Sequence, residues 1–182
     1  EPLDYNKPDV LGQLMPNMKQ ADRQINWQTD TTEAILDKIN AADGSPGVLD
    51  VIAGNEYFLH GATREDNLQG IAGALLATRM GAVCRATVDG AIWLSHLKQK
   101  AINGDKPFLK LPATMVLGDK VADLPEIPLG IYHTTPDTFR EIWYEEKNNV
   151  GYLHFDFHNG AMGTEQCLRL RDAVVEARNR PT

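Results

Sequence analysis

Between residues 46 and 98 the chain carries five short β-like runs, VLDVIA, EYFLHGA, GALLATR, AVCRATV and AIWLSHL. They are punctuated by Gly54-Asn55, a polar stretch near Gly70, Met80-Gly81 and Asp89-Gly90. Connections this tight join antiparallel neighbours, whereas parallel strands need long crossovers. The spacing therefore predicts a small, mostly closed antiparallel sheet, an α+β and mainly β architecture of the OB-like barrel kind. Asp89-Gly90 is the clearest hairpin signal, because a type I′ turn needs positive φ at both central residues and this pair accepts it.

The flanks organise around that sheet. Residues 1–30, with Pro2, Pro8 and Pro16, read as a connector whose Ile25 and Trp27 dock against something apolar. Asp30 and Glu33 form a capping-box-like start for a helix near 31–42, with Ile35, Leu36 and Ile39 on one stripe and Gly44 placed to end it. In LPATMVLG, Pro112 suits a first helical position and Gly118 the residue after the last turn, which gives a barrel unit over 31–118. Residues 119–138, with Pro125, Pro128 and Pro136, read as a linker. Over 139–182 the pattern restarts with FREIWYEE, a turn at Lys147-Asn148-Asn149, the strand VGYLHFDF, and a helix near Thr164 to Asn179 with Cys167, Leu170, Val174 and Ala177 on one stripe. A hairpin and one helix are too little to fold alone. The start without Met and the stop at RNRPT read as a piece of a longer polypeptide.

Bulk properties narrow the function classes. The formal charge is −7 over 182 residues, so no global attraction to nucleic acid or anionic lipid is expected. No apolar run approaches the ~18 residues of a membrane span and no signal peptide is visible, so the expected location is cytoplasmic. Cys84 and Cys167 lack CxxC spacing and read as reduced, structural thiols.

The stretch GYLHFDFHNGAMGTEQ sets His154, Asp156 and His158 at every second position. Strand alternation puts Leu153, Phe155 and Phe157 on one face and Tyr152, His154, Asp156 and His158 on the other, the polar face of a half-buried strand. The two histidine Cα atoms would lie ~13 Å apart, too far for one tetrahedral ion, although His154 and Asp156 could share a metal with outside ligands. No metal site is assigned. Arg85, Asp89 and His96 could form an acid–base cluster but read as barrel surface charges. Arg23 and Trp27 could stack on a ligand but read as part of the docking connector. His60 fits a strand end or an interdomain seam.

The segments ADRQINWQTDTTEAILDKINAADGSPGVLDVIAGNEYFLHGA and GAVCRATVDGAIWLSHL resemble the C-terminal barrel domain of formyltransferases, most closely the version in hydrogenase maturation proteins of the HypX/HoxX type. VGYLHFDFHNGAMGTEQCLRLRDAVVEARNRPT is similar to the start of a crotonase (enoyl-CoA hydratase-like) module. The resemblance implies that this chain joins an upstream formyl-folate module to a crotonase module and works with the hydrogenase maturation machinery. In that family a formyl group passes from formyl-tetrahydrofolate to coenzyme A, and CO for the [NiFe] site is then released. The family's formyl-transfer residues lie upstream and its oxyanion hole beyond Thr182, so no catalytic residue is assigned here. The loop Asn159, Gly160, Ala161 and Met162 is expected to pass near coenzyme A, with small residues allowing close approach and helix N–H groups just beyond. The alternative is an RNA-binding domain like that of methionyl-tRNA formyltransferases. Against it stand the interspersed charges of residues 31–110; Lys98, Lys100, Lys106 and Lys110 are the region where an RNA patch would be sought.

Overall fold

Two of the barrel's strand-to-strand turns rest on two successive residues with positive φ. In this computed structural model, which describes residues 4, 6–8, 15–65, 67–102, 106–134 and 138–180, β1 (Val48–Ile52) passes to β2 (Asn55–Glu65) through Ala53 (φ 46°) and Gly54 (φ 79°). β3 (Leu75–Arg79) passes to β4 (Ala82–Ala86) through Met80 (φ 49°) and Gly81 (φ 84°). Both two-residue loops carry the type I′ signature. Asp89-Gly90 does not: neither residue has positive φ, and the loop to β5 (Ala91–Gln99) is closed by the Thr87 N–H donating to the Gly90 carbonyl at 2.9 Å. The Asp89 carboxylate instead accepts from the N–H and the hydroxyl of Thr32, both at 2.7 Å, tying the turn to the start of α1 (Thr32–Ala41).

The cap of α1 also differs from expectation. Thr31 is the N-cap and accepts from the Ala34 N–H, while Asp30 accepts from the Asn26 N–H and from Lys38. Gly44 does not end the helix; the C-cap is Ala42 with φ −111°. The stripe itself is as expected: Ile35 and Ile39 are fully buried and Leu36 packs beside them. They close one end of an interior that holds Val48, Tyr57, Leu59, Val83, Ile92, Leu94 and Leu97, each such burial contributing about 1.5–3 kcal/mol.

The strand order is β1-β2-β5-β4-β3, all antiparallel, with β6 (Leu111–Pro112) added to β5. No ladder joins β1 to β3, so the sheet is curled rather than closed by backbone pairing. Side chains span the gap. Arg85 of β4 reaches Asp50 and the Val51 carbonyl of β1 and the Gly73 carbonyl before β3, and Trp27 lies on its guanidinium at 3.8 Å. Pro112 is the N-cap of α2 (Ala113–Leu117) rather than its first residue, and Gly118 (φ 53°) ends it.

Gly61 decides which residues face inward. Its left-handed φ of 63° lets Leu59 and Ala62 both join the interior, and a Cβ there would lie 2.0 Å from the Ser95 hydroxyl oxygen. The neighbouring His60 and its cross-strand partner His96 consequently lie together outside that interior.

The described part of residues 119–138 leads from the barrel to the last segment of the chain: Val121 and Leu124 pack on the barrel interior, and Ile131 is buried with Ile142 and Phe157. Thr78 of β3 donates to the Pro125 carbonyl and accepts from the Ile127 N–H, each at 2.9 Å. Pro136 and residues 1–3, 5 and 9–14 of the connector lie outside the described residues. The outer face of the sheet forms a second core of Ala77, Ala82, Cys84, Ala91 and Trp93, covered by Phe139. Beyond it, β7 (Ile142–Lys147) and β8 (Val150–Phe155) are joined through Asn148 (φ 54°) and Asn149 (φ 59°) and pack on α3 (Thr164–Arg178). The packed face of α3 carries Gln166, Leu170, Ala173 and Ala177. Cys167 and Val174, expected on that stripe, are exposed, because the hairpin covers a face rotated toward Gln166 and Ala173.

Candidate functional site

β8 ends at Phe155, and this ending separates residues that strict alternation would keep together. Phe155 is 56% exposed, while Phe157 is buried against Ile131, Ile142 and Ala173. His154 stays on the hairpin, stacked on Trp143 at 5.1 Å and nearly parallel to it. His158 leaves the strand in a 3-10 turn, His158–Gly160, and lies against the barrel. Of the expected polar face, Tyr152 and His154 do lie side by side, their ring centres 6.2 Å apart, but His158 has left it. Among the described residues no group of three or more His, Cys, Asp or Glu is placed to hold a metal ion.

What His158 meets is a cluster drawn from distant parts of the chain. It stacks on His96 at 4.4 Å, its ring centre is 6.4 Å from that of His60, and its Nε2 stands 3.8 Å from the Asp43 carboxylate. His60 approaches the Asp43 carbonyl through Nδ1 at 3.0 Å, so Nδ1–H donates and Nε2 is left without a partner among the described atoms. The Asp43 carboxylate accepts the Gly61 N–H at 2.6 Å, and Lys110 donates to the Asp43 carbonyl. Burial, reinforced by the Lys110 charge, pushes the His60 imidazole down to about 4. Burial and the neighbouring His158 push His96 down to about 4, and burial lowers His158 as well. All three imidazoles are neutral at neutral pH. Beside them a cleft of about 290 Å³ is lined by Asp43, Ser95, Arg140, Glu141, His158 and Asn159, among others.

A second polar group lies on the barrel's outer face. Glu65, 3% exposed, accepts from the Trp93 indole N–H at 2.7 Å, the Asn67 N–H at 2.9 Å and the Thr138 hydroxyl. Arg79 lies over Trp93 at 4.3 Å and donates to Thr138 at 2.6 Å, to the Ile127 carbonyl at 2.8 Å and to the Phe139 carbonyl at 3.1 Å. Burial opposes ionisation of Glu65, but the hydrogen bonds from Thr138 and Trp93 outweigh it and hold its carboxyl below the usual range. This pair clamps residues 127 and 138–139 to the sheet.

Of the loop expected to approach coenzyme A, Asn159 lines the cleft, and Asn159, Gly160, Ala161 and Met162 are all exposed. Its amides are less available than expected. The Gly160 N–H donates to the Phe157 carbonyl at 2.7 Å, the Ala161 N–H to His158 at 3.2 Å, and the Gly163 N–H to the Gln166 side chain at 2.9 Å. Those three amides are therefore not free to form a cradle, and of the four residues Asn159 is the one that lines the cleft.

The other candidates disperse. Arg85 is held by Asp50, Asp89 ties to α1, and His96 belongs to the seam, so they form no acid–base cluster. Trp27 is buried and donates to Asp50 at 2.9 Å, while Arg23 turns to the Met18 carbonyl. Cys84 is buried, its thiol pushed up to about 12 by burial and the nearby Glu65. The histidine cluster had no signal in local sequence, since β2 and β5 are not consecutive and their pairing places His60 beside His96.

A family model described as formyl transferase, C-terminal domain, matches residues 17–110. The hydrogenase maturation factor HoxX of Bradyrhizobium diazoefficiens is 42% identical over 164 residues, which are 90% of this chain and 27% of that protein. The crystal structure of HypX from Aquifex aeolicus in complex with tetrahydrofolic acid superposes with a TM-score of 0.85 at 39% identity, over 92% of this chain and 29% of that one. A substituted variant of the same HypX gives the same TM-score at 39% identity. The chain thus spans less than a third of the length of these relatives.

Proposed function

The chain belongs to the formyl transferase C-terminal domain family and is a homologue of the hydrogenase maturation factors HoxX and HypX, and on that premise we propose that it is the noncatalytic middle segment of a cytoplasmic maturation enzyme. In this reading the parent protein makes CO for the [NiFe] site: a formyl-folate module upstream passes a formyl group from formyl-tetrahydrofolate to coenzyme A, and a crotonase-like module releases CO from formyl-CoA. Residues 31–118 are the barrel, 119–138 the linker and 139–182 the beginning of the crotonase-like module. The observation that carries the reading is coverage, since the likeness to HoxX extends over 164 residues, 90% of this chain, and so is longer than the barrel alone. The clamp at Glu65 and Arg79 supports it by tying Ile127 and Thr138 of the linker to the barrel, as a segment holding two modules in register requires.

Coenzyme A would supply the thiol that carries the formyl group, and the residues here that would touch it are Asn159 to Met162. Their part is to hold the cofactor's surface, with no proton transfer assigned to them. Of the four lysines where an RNA patch would be sought, Lys98, Lys100, Lys106 and Lys110, two are engaged within the chain: Lys100 pairs with Glu56 and Lys110 donates to the Asp43 carbonyl.

Coenzyme A titrated into the isotopically labelled chain tests the contact. Amide shifts confined to the neighbourhood of Asn159–Met162, weakened by Asn159→Ala, are expected; shifts elsewhere or none would sink the assignment. The same chain given formyl-tetrahydrofolate and coenzyme A should release no CO above a heat-treated control.

A further inference from the structure

The hairpin and α3 meet the barrel at two places of opposite character. One is the clamp, where Glu65 and Arg79 carry opposite charges 3.7 Å apart. The other is the histidine edge, where His158 of the tail stacks on His96 beside His60. The clamp's charges offset one another. The histidine edge works only with uncharged rings, because three imidazolium ions within these distances would repel one another in a poorly hydrated place.

We propose that this seam is an acid-opened contact: protonation of its imidazoles parts the hairpin and α3 from the barrel along the histidine edge, with Thr138 and Phe139 as the pivot and the barrel still folded. The groups facing the edge are few. From the turn after α1 comes Asp43, from the segment before β6 Lys110, from β5 Ser95, from the end of β8 Asp156, and from the approach to β7 Arg140 and Glu141. Asp43 is the carboxylate nearest the rings, 3.8 Å from both His60 and His158, and the Lys110 ammonium beside it works against its stabilising an added proton. Asp156 favours the charged form of His158, yet burial dominates.

The sign follows from linkage. An imidazole held low in the closed state and returned to about 6.5 on opening favours closure at neutral pH, and this preference is lost as pH falls from about 6.5 toward about 4. Each ring freed shifts the open-to-closed ratio about tenfold per pH unit in that window. His96 and His158 are the rings that opening frees, since His60 is shielded on its other side by Gly47 and Asp43.

Spin labels on the exposed native Cys167 and on Gln99→Cys read the separation, with buried Cys84 unreactive. On moving from about pH 7.5 to about pH 4.5, the interspin distance should lengthen and broaden reversibly while the far-ultraviolet circular dichroism persists. His158→Phe keeps a ring on His96 without the charge and should lower the open fraction at about pH 5, whereas His158→Lys should open the seam already at neutral pH. Unchanged distances down to about pH 4.5, opening that coincides with loss of secondary structure, or a His158→Phe chain that opens like the parent would each overturn the proposal. Should His158→Phe fail to fold, imidazole proton titration of the unsubstituted chain decides: titration of His96 or His158 near 6.5 without a distance change rejects it.

Discussion

The barrel and the tail bury their side chains in different ways. In the barrel, side chains from β1, β2, β4, β5, α1 and α2 share one interior, and Trp93, Tyr57, Leu59, Ile92, Leu94 and Leu97 have almost no exposed surface. In the tail, one face of a two-stranded hairpin covers one face of α3, and its small apolar cluster holds Ile131, Ile142, Phe157 and Ala173, while Phe155, Val174 and Val175 stay half exposed. A sheet that curls on itself buries both of its faces, whereas an isolated hairpin buries one at most. The tail's position therefore depends on the clamp and the histidine edge more than on its own core.

The largest effect should come from Trp93→Ala, which empties the outer core and removes the partner of both Glu65 and Arg79. A loss of about 3–5 kcal/mol in urea unfolding is expected, with barrel and tail melting together. Next is pH. His60 and His96 are held at about 4 against an ordinary value near 6.5, so stability present above about pH 6.5 should drain away toward about pH 4. Denaturation midpoints measured across that range check it, and a flat profile would contradict the buried neutral histidines.

Thr138→Val sharpens the comparison by cutting the clamp while leaving the barrel interior alone. It removes the hydroxyl that links Glu65 and Arg79, at about 1–2 kcal/mol, and should raise proteolytic cleavage within 119–138 before the barrel loses protection from hydrogen exchange. Equal loss of protection in both regions would show that they do not separate. The smallest effect belongs to Val174→Ala on the exposed side of α3, expected within about 0.5 kcal/mol. A loss several times larger in thermal unfolding would reveal a partner for that face.

Much of the architecture was legible in the sequence because it depends on neighbours. The five strands, the α1 stripe of Ile35, Leu36 and Ile39, and the docking of Ile25 and Trp27 follow from periodicity and punctuation over a few residues, the range over which backbone sterics and side-chain alternation act. Tertiary structure decided where a residue had several local uses. Asp89 could serve a type I′ turn or accept from Thr32, and the N–H and hydroxyl of a buried threonine 57 residues away offered it two hydrogen bonds. Asn159 was placed beside a ligand site from its loop, and the fold sets it at a cleft, yet the hydrogen bonds that occupy the amides of Gly160, Ala161 and Gly163 exist only once the turn and helix have formed. The three histidines are the clearest case. His60, His96 and His158 are far apart in the chain and unremarkable one by one, and they meet because β2 pairs with β5 and because β8 stops before Phe157. Strand pairing at long range is fixed by burial of whole faces, which no local window of sequence contains.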